Sequence, residues 1–416
     1  MRRLTPALGS VLIQASGSAA TAAAAVLVAS RLGLAAQGEF GLLRSWNDVL
    51  VMLAVLGLPQ GLLHLQYREA VPAAALRQWI ARYVSGLAAL ALLVIVLGLG
   101  TNILPGLPHR EQVLVIVAAT PLAAAHLLWR SLTLRGAGVV PYALVTAAPA
   151  LLILAGLVPL ALAGWHSGFE WVLFGAAGAS ALASGLLARS IADAPATPEV
   201  SRRWSRRQLW DVSLQTGAQS VLTALSPAAL MSVAGLLGAP LAQVGIVSLG
   251  LQLYQMFGVA AVYAAPLLYD RAARSERPVD GARLLHALRR HVGLPLMALA
   301  AGAGLLGPWL AALVWSALDG LVPLLTLMAG AGMLALAVRL LSTLQQARGE
   351  FGALSAQALV RLVAGTALAA LMMLRWPATM AVPLAVLAVE ALLLAWLLIS
   401  LRGAPARGGP SDAAGP

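Results

Sequence analysis

Charged side chains interrupt several otherwise apolar stretches of this sequence. Arg44 and Asp48 lie four residues apart in one stretch, and Arg339, Arg361 and Glu390 lie in three others. A charge at the centre of a membrane helix costs on the order of 2.5–3.5 kcal/mol, so these groups are expected to face protein or water. Because a guanidinium binds phosphate oxygens in pairs, the arginines predict anion binding. Asp48 and Glu390 are candidates for ion coupling.

Each of these charges also has a structural interpretation. Arg44 and Asp48 are spaced to neutralise one another along a helix, or Arg44 exchanges that partner for a substrate phosphate. Arg339 and Arg361 each extend toward the inner interface of the membrane, or together form a basic patch for an anionic headgroup. Glu390 is a partner for one of them or the carrier of a coupling proton. The sequence leaves these alternatives open.

Polar residues recur at helical spacing in four of the apolar stretches. A polar stripe on an apolar helix must face protein or water, so the stripes predict a hydrated cavity between two halves of the chain. The alternative is hydrogen bonding between packed helices, at about 0.6 kcal/mol each. The candidate substrate-binding residues are Gln14, Arg44, Asn47, Asp48, Gln215, Gln219, Gln252, Gln255, Tyr263, Arg339 and Arg361.

Membrane helices must position these residues. Of 416 residues, 60% are hydrophobic and 10% are charged, and the mean hydropathy is +0.87. This composition excludes a water-soluble enzyme. Apolar runs of about 20 residues predict an all-α polytopic membrane protein with about 12 transmembrane helices. The predicted spans are 8–30, 42–65, 83–100, 112–134, 141–164, 169–191, 212–237, 241–268, 292–316, 320–345, 353–374 and 377–401.

The basic residues predict the orientation of the chain. All 27 are arginines, the net charge is +12, and most of them fall in loops on one side of the predicted spans. An excess of basic residues marks the cytoplasmic side, so both termini are predicted to be cytoplasmic. This explanation removes the need for a nucleic-acid partner. The chain has no cysteine, no metal-binding histidine spacing and no phosphate-binding glycine loop, so we expect no cofactor and no enzyme.

The sequence divides into two similar halves. Gln14 precedes Gly33 by the same interval that separates Gln219 from Gly238, and each glycine follows a leucine. Since each half has an even number of predicted spans, the two six-helix bundles are expected to have parallel orientation. The predicted organisation is an N-terminal lobe at 1–191, a basic cytoplasmic linker at 192–211, a C-terminal lobe at 212–401 and a disordered tail at 402–416.

The segment LVASRLGLAAQGEFGLLRSWNDVLVMLAVLGLPQGLLHL (27–65) combines three features. A helix ends in Arg-Leu-Gly, a short G-x-F-G turn follows, and the second span closes with Leu-Gly-Leu-Pro-Gln-Gly. In this the chain resembles polysaccharide flippases of the MOP superfamily, including the Wzx-type O-antigen flippases. The resemblance implies two bundles around a central cavity in the bacterial inner membrane.

The same resemblance implies a function. Such flippases move polyprenyl-pyrophosphate-linked oligosaccharides from the cytoplasmic to the outer leaflet by alternating access, as part of lipopolysaccharide biosynthesis alongside other polysaccharide assembly proteins. Cationic cavity residues are thought to engage the pyrophosphate, and by position Arg44, Arg339 and Arg361 are the candidates here. The alternative is a cation-coupled multidrug exporter of the MATE branch, in which cavity carboxylates would matter more.

Overall fold

The computed structural model describes residues 4–67, 71–98, 109–191, 206–273, 302, 306, 321–347 and 351–403. Within these residues the secondary structure is helical, with no β-strand, as predicted. The helices are α1 (Leu4–Arg31), α2 (Leu34–Val55), α3 (Leu58–Tyr67), α4 (Ala73–Val96), α5 (Arg110–Gly136), α6 (Val139–Ala163), α7 (Phe169–Arg189), α8 (Arg206–Leu236), α9 (Leu241–Ala273), α10 (Val322–Ala347), α11 (Phe351–Met373) and α12 (Ala378–Gly403).

Nine of the described helices are long and apolar enough to cross a membrane. They include α4 to α8 and α10 to α12, so the chain is a multi-pass membrane protein, as predicted. The helix α2 is not one of the nine, and it contains Glu39, Arg44 and Asp48. A helix this polar needs protein around it at membrane depth. Apart from positions 302 and 306, the predicted span at 292–316 lies outside the described residues.

The chain forms two compact units. The first comprises Met1–Leu249 with Ala370–Thr379, and the second comprises Gly250–Ala369 with Met380–Pro416. In the first unit, one apolar core packs around Phe40 and Phe169, whose rings lie 5.7 Å apart, and another around Leu58, Leu62 and Leu128. In the second unit, Phe257 and Leu336 belong to the core formed with α12. The two lobes predicted at 1–191 and 212–401 stay a prediction.

The second predicted span, 42–65, differs most from the structure. Helix α2 begins at Leu34 and includes both glycines of the expected G-x-F-G turn, Gly38 and Gly41. It ends at a break where Leu56 and Gly57 have left-handed φ values of 39° and 76°, and α3 follows. The two glycines are helical because a neighbouring helix lies directly against them.

That neighbour is the first part of α9, and we call their contact the α2–α9 seam. A Cβ atom at Gly38 would overlap the carbonyl oxygen of Leu241, and one at Gly245 would overlap that of Leu34. The contact is reciprocal, because each carbonyl lies one turn before the opposing glycine. Small residues at a helix crossing let two backbones approach closely in a membrane. In the same seam, buried Gln37 donates a hydrogen bond from Nε2 to Ser248 Oγ at 3.2 Å.

A second close contact lies at the other end of α2. There a Cβ atom at Gly57 would overlap the carbonyl oxygen of Ser213, and one at Gly217 would overlap that of Leu56. Between the two contacts, Trp46 Nε1 donates a hydrogen bond to Ser232 Oγ at 3.1 Å. Helix α2 is therefore held against α8 and α9 at both ends and in the middle.

The third predicted span, 83–100, begins earlier than expected, since α4 starts at Ala73. Residues 73–82, which lie outside the predicted span, are thus continuous with the membrane helix. Its aromatic residues pack into the first unit: the rings of Trp79 and Tyr83 stack at 5.2 Å, and Tyr83 meets Trp210 edge-on at 6.2 Å. Trp210 follows Arg206, the first residue of α8, so the end of the predicted linker is helical. The rest of that linker and residues 404–416 lie outside the described residues.

Arg77 closes the C-terminal end of α7. Its Nη1 donates hydrogen bonds to the carbonyl oxygens of Ala188 and Ile191, at 3.2 and 3.1 Å. The last carbonyls of a helix have no partner within it, and a positive charge there is favourable. We expect Arg77→Gln to lower the free energy of unfolding by about 1.5 kcal/mol, measured by unfolding in mixed micelles. Arg82→Gln, at an exposed position of the same helix, should leave stability unchanged.

Candidate functional site

Four helices of the second unit bring ionisable groups together at one place. Arg361 on α11 and Glu390 on α12 form a two-point ion pair: Nε donates to Oε1 at 2.6 Å and Nη2 to Oε2 at 3.0 Å. Tyr254 on α9 donates its hydroxyl to the same Oε1 at 2.6 Å. Among the described residues this is the one pair of acidic and basic side chains in ion-pair contact. Glu390 is thus an ion-pair partner of Arg361, as one of the sequence-based alternatives predicted, and its role in ion coupling stays a prediction.

Arg339 on α10 adds a second positive charge to this cluster. It lies close enough to interact electrostatically with Tyr254, Arg361 and Glu390. Two guanidinium groups, one carboxylate and one phenol therefore lie within electrostatic range of one another. We call Tyr254, Arg339, Arg361 and Glu390 the charged cluster. Its formal charge is one positive unit, because arginine stays protonated in proteins.

The two side chains of the ion pair differ in how deeply they are buried. The side chain of Glu390 is 1% exposed, whereas that of Arg361 is 15% exposed. A carboxylate buried to this extent is stable only when it is paired and hydrogen-bonded, which Arg361 and Tyr254 achieve. Arg361 is thus the more accessible side chain of the pair.

Hydrogen bonds between α10 and α11 adjoin the charged cluster. Ser342 Oγ donates to Gln357 Oε1 at 2.7 Å, and Gln357 Nε2 donates to Gln345 Oε1 at 2.7 Å. All three side chains are buried. Ser342 lies one turn from Arg339, and Gln357 lies one turn from Arg361. These bonds join the two helices that supply the guanidinium groups.

The candidate residues of α1 and α2 lie in the first unit. Arg44 donates a hydrogen bond from Nη2 to Thr21 Oγ1 at 3.4 Å, which links α2 to α1. The ion pair of Arg44 with Asp48 is not formed within the described residues, and Asp48 is exposed. Asn47 is half-buried, with no hydrogen-bond partner for its Oδ1 among the described groups, and Gln14 is also half-buried.

The remaining candidates lie on α8 and α9. Gln219 and Gln252 are half-buried, and Gln255 is exposed. The Oε1 atom of Gln252 is buried and has no hydrogen-bond partner among the described residues. The side chains of Gln215 and Tyr263 lie outside those that the structure describes. The convergence of all these polar residues on one cavity stays a prediction.

Sequence reasoning missed Tyr254 as a member of the charged cluster. The polar residues singled out on this helix were Gln252 and Gln255, which flank Tyr254, and Tyr263, which lies farther along the helix. A tyrosine in an apolar helix costs little and marks no site by itself. The feature that could have identified Tyr254 is its hydroxyl group, because a hydroxyl at membrane depth needs a hydrogen-bond partner.

Among the described residues, no group of three or more histidine, aspartate and glutamate side chains is arranged to hold a metal ion.

Comparisons with known proteins place this architecture among solved structures. No protein-family model and no curated sequence matches the chain. Over 95% of its length, the chain is similar to an inward-facing multidrug resistance MATE family transporter of the MOP superfamily, with a TM-score of 0.64, 15% identity and 98% of that chain covered. Its similarity to the lipid II flippase MurJ, in an inward closed conformation, has a TM-score of 0.64 at 13% identity, covering 95% of this chain and 88% of that one.

A third similar structure is the MATE multidrug transporter DinF-BH, in complex with a bound compound. Its TM-score is 0.60 at 13% identity, and the match covers 96% of this chain and 93% of that one. Identities this low show the fold alone. The chain has the all-α polytopic fold of these MOP-superfamily transporters, which confirms the predicted fold class. The exact number of spans and their arrangement as two six-helix repeats around a cavity stay predictions.

Proposed function

We propose that this chain is a membrane transporter that moves a polyprenyl-pyrophosphate-linked oligosaccharide from the cytoplasmic to the outer leaflet of the bacterial inner membrane by alternating access. The fold supports a transporter, since the similar structures are named as transporters and a flippase. The charged cluster supports an anionic cargo. Two guanidinium groups at membrane depth, compensated by one carboxylate, favour a ligand that brings negative charge.

The chemistry of such a cargo matches the chain in two ways. A pyrophosphate diester is a dianion, and guanidinium groups bind its oxygens with fixed geometry. The side-chain amides of Gln14, Asn47, Gln219 and Gln252 supply donors and acceptors for sugar hydroxyls. Arg44 on α2 is a further candidate for the pyrophosphate. Partners in polysaccharide assembly are part of the same proposal.

The proposal is tested by flipping in liposomes. The full chain is reconstituted with a fluorescent polyprenyl diphosphate disaccharide, and a membrane-impermeant quencher reports the fraction moved between leaflets. We expect Arg339→Gln to slow flipping at least tenfold, because the uncompensated positive charge is lost. The matched control is Arg375→Gln, which removes an exposed arginine outside the described clusters and should flip at the original rate.

Cells provide the second arm of this test. In a host whose surface glycan depends on this chain, Ala substitutions at Arg44 and Arg339 together should reduce the glycan while protein levels hold, because the ion pair of Arg361 with Glu390 is kept. Normal glycan export by that double variant would rule out the pyrophosphate role of these two arginines. Equal flipping by Arg339→Gln and by the unmodified protein would rule out the role of the charged cluster.

A drug exporter is the second candidate function. It is favoured by Asp48, an exposed carboxylate that forms no ion pair within the described residues and would attract a cation. Two of the similar structures are also named as multidrug transporters. The discriminating measurement is efflux of the compound that is bound in the DinF-BH structure. Efflux that depends on Asp48, and not on Arg339, would establish the exporter.

A further inference from the structure

Glu390 accepts hydrogen bonds from two helices and lies within electrostatic range of a charged group on a third. Tyr254 on α9 and Arg361 on α11 donate the hydrogen bonds, and Arg339 on α10 is the third group. Along the same helices, the nearby residues that the structure describes are apolar side chains or the hydrogen-bonded Ser342 and Gln357, none of which titrates. Arginine stays protonated in proteins, and the phenol already donates its proton to the carboxylate. Of the four side chains in the charged cluster, the Glu390 carboxylate is therefore the one that can accept a proton.

The charge balance changes when an anion binds. With Glu390 ionised, two arginines and one carboxylate leave one positive charge. Adding a dianion would then leave one uncompensated negative charge in a buried site, which is strongly unfavourable. If Glu390 gains a proton, two guanidinium groups face one dianion and the loaded site is neutral. A neutral site is the state that a low-dielectric surrounding favours.

The geometry of the ion pair also indicates that a bound anion takes the place of the Glu390 carboxylate on Arg361. Arg361 directs two of its donors, Nε and Nη2, at Glu390. The same pair of parallel N–H groups fits two oxygens of a phosphate. The carboxylate and the anion therefore compete for one guanidinium. Once displaced, a protonated Glu390 keeps a partner, because its new O–H can donate to the Tyr254 oxygen, which now acts as acceptor.

We propose that binding of a dianionic pyrophosphate diester between Arg339 and Arg361 is coupled to the uptake of one proton by Glu390. The proton comes from solution onto a carboxylate oxygen, and no covalent bond other than this O–H forms or breaks. In the empty site Glu390 acts as an internal anion in place of the ligand. This inference rests on the proposed function, because it assumes that the charged cluster binds the anionic group of the cargo.

The proton is counted by titration calorimetry on the full chain in detergent. The probe is symmetrical dimethyl diphosphate, a small diester that stays a dianion across the pH range used. Buffers with different ionisation enthalpies give the number of protons taken up on binding. We expect about one proton per diphosphate bound, and an affinity that falls about tenfold for each unit of rising pH. These measurements on the unmodified protein need no variant to fold.

Variants identify the group that gains the proton. Glu390→Gln keeps the shape and the hydrogen-bonding oxygen, and it should bind the diphosphate with no proton uptake and with pH-independent affinity. The matched control is Glu170→Gln, which removes a carboxylate that is also buried, in the first unit. It should behave like the unmodified protein. Tyr254→Phe should keep the proton uptake, because Arg339 and Arg361 remain.

The outcomes separate this inference from the proposed function. Binding that requires Arg339 but takes up no proton would overturn the coupling and leave the anion site intact. Proton uptake that persists in Glu390→Gln would also overturn it. Absence of diphosphate binding, with the protein folded, would overturn the anion site itself and the proposed function with it.

Discussion

Arg361→Leu is expected to lower the free energy of unfolding by about 3–5 kcal/mol. The substitution leaves the Glu390 carboxylate 1% exposed without its two-point partner, and Tyr254 supplies only one hydrogen bond in its place. Removing one member of a buried ion pair is costly because the other charge stays buried and unpaired. The measurement is reversible unfolding of the full chain in mixed micelles.

The double variant Arg361→Leu with Glu390→Leu tests whether the loss of stability comes from the unpaired carboxylate. It removes both charges, so its stability should return to within about 1 kcal/mol of the unmodified protein. That stable double variant should nevertheless fail to bind the diphosphate probe with normal affinity. If Arg361→Leu alone were no more harmful than Arg375→Leu at an exposed site, the ion pair would not stabilise the second unit.

Gly245→Leu is expected to cost about 3 kcal/mol of stability, at the upper end of the range for overpacking. The new side chain would overlap the carbonyl oxygen of Leu34. A flexible side chain could move away, but a backbone carbonyl in the middle of a helical contact cannot, so α2 and α9 must separate. The hydrogen bond from Gln37 to Ser248 would be lost with the contact. Stability is measured by the same unfolding experiment.

The matched control for this expectation is Gly235→Leu. Gly235 lies in α8, and a side chain added there would meet open space. The change should be neutral or stabilising, since leucine favours helix more than glycine by up to about 1 kcal/mol. Equal behaviour of the two leucine variants would show that the α2–α9 seam does not hold these helices together.

Most helices could be predicted from the sequence because one physical rule determines them. An apolar run must be about 20 residues long to cross a bilayer, and it must satisfy its own backbone. The predicted span 141–164 thus corresponds to α6 at Val139–Ala163, and 353–374 to α11 at Phe351–Met373. The ends differ by only a few residues, since charged and glycine residues mark where the apolar run stops.

Helix α2 could not be predicted in the same way. Its glycines at 38 and 41 are typical of a turn when only neighbouring residues are considered. They are helical because α9, some two hundred residues later in the chain, packs against them. The break at Leu56 and Gly57 has a similar cause, because the Leu56 carbonyl lies against Gly217 of α8. Contacts between distant segments leave no periodic signal in the sequence.

The charged cluster was predictable in part for the same physical reason. Arg339, Arg361 and Glu390 were conspicuous because a charge in an apolar stretch is costly and must have a partner. Which partner each takes depends on how α10, α11 and α12 pack, so the pairing of Glu390 with Arg361 needed the structure. Tyr254 carries no charge and was therefore not singled out. The hydrogen-bond partner of Arg44 likewise needed the structure, because Thr21 lies on a neighbouring helix.

The hydrogen bonds that Gln357 forms with Ser342 and Gln345 have a consequence for ligand selection. They join the two helices that bear Arg339 and Arg361, about one turn along each helix from the arginine. This connection limits how far the two helices can move apart when an anion binds. Discrimination between anions at such a pair depends on size as well as on valence. Two phosphoryl groups joined by one bridging oxygen present their charges at a set distance, which a lone sulfate or carboxylate does not reproduce.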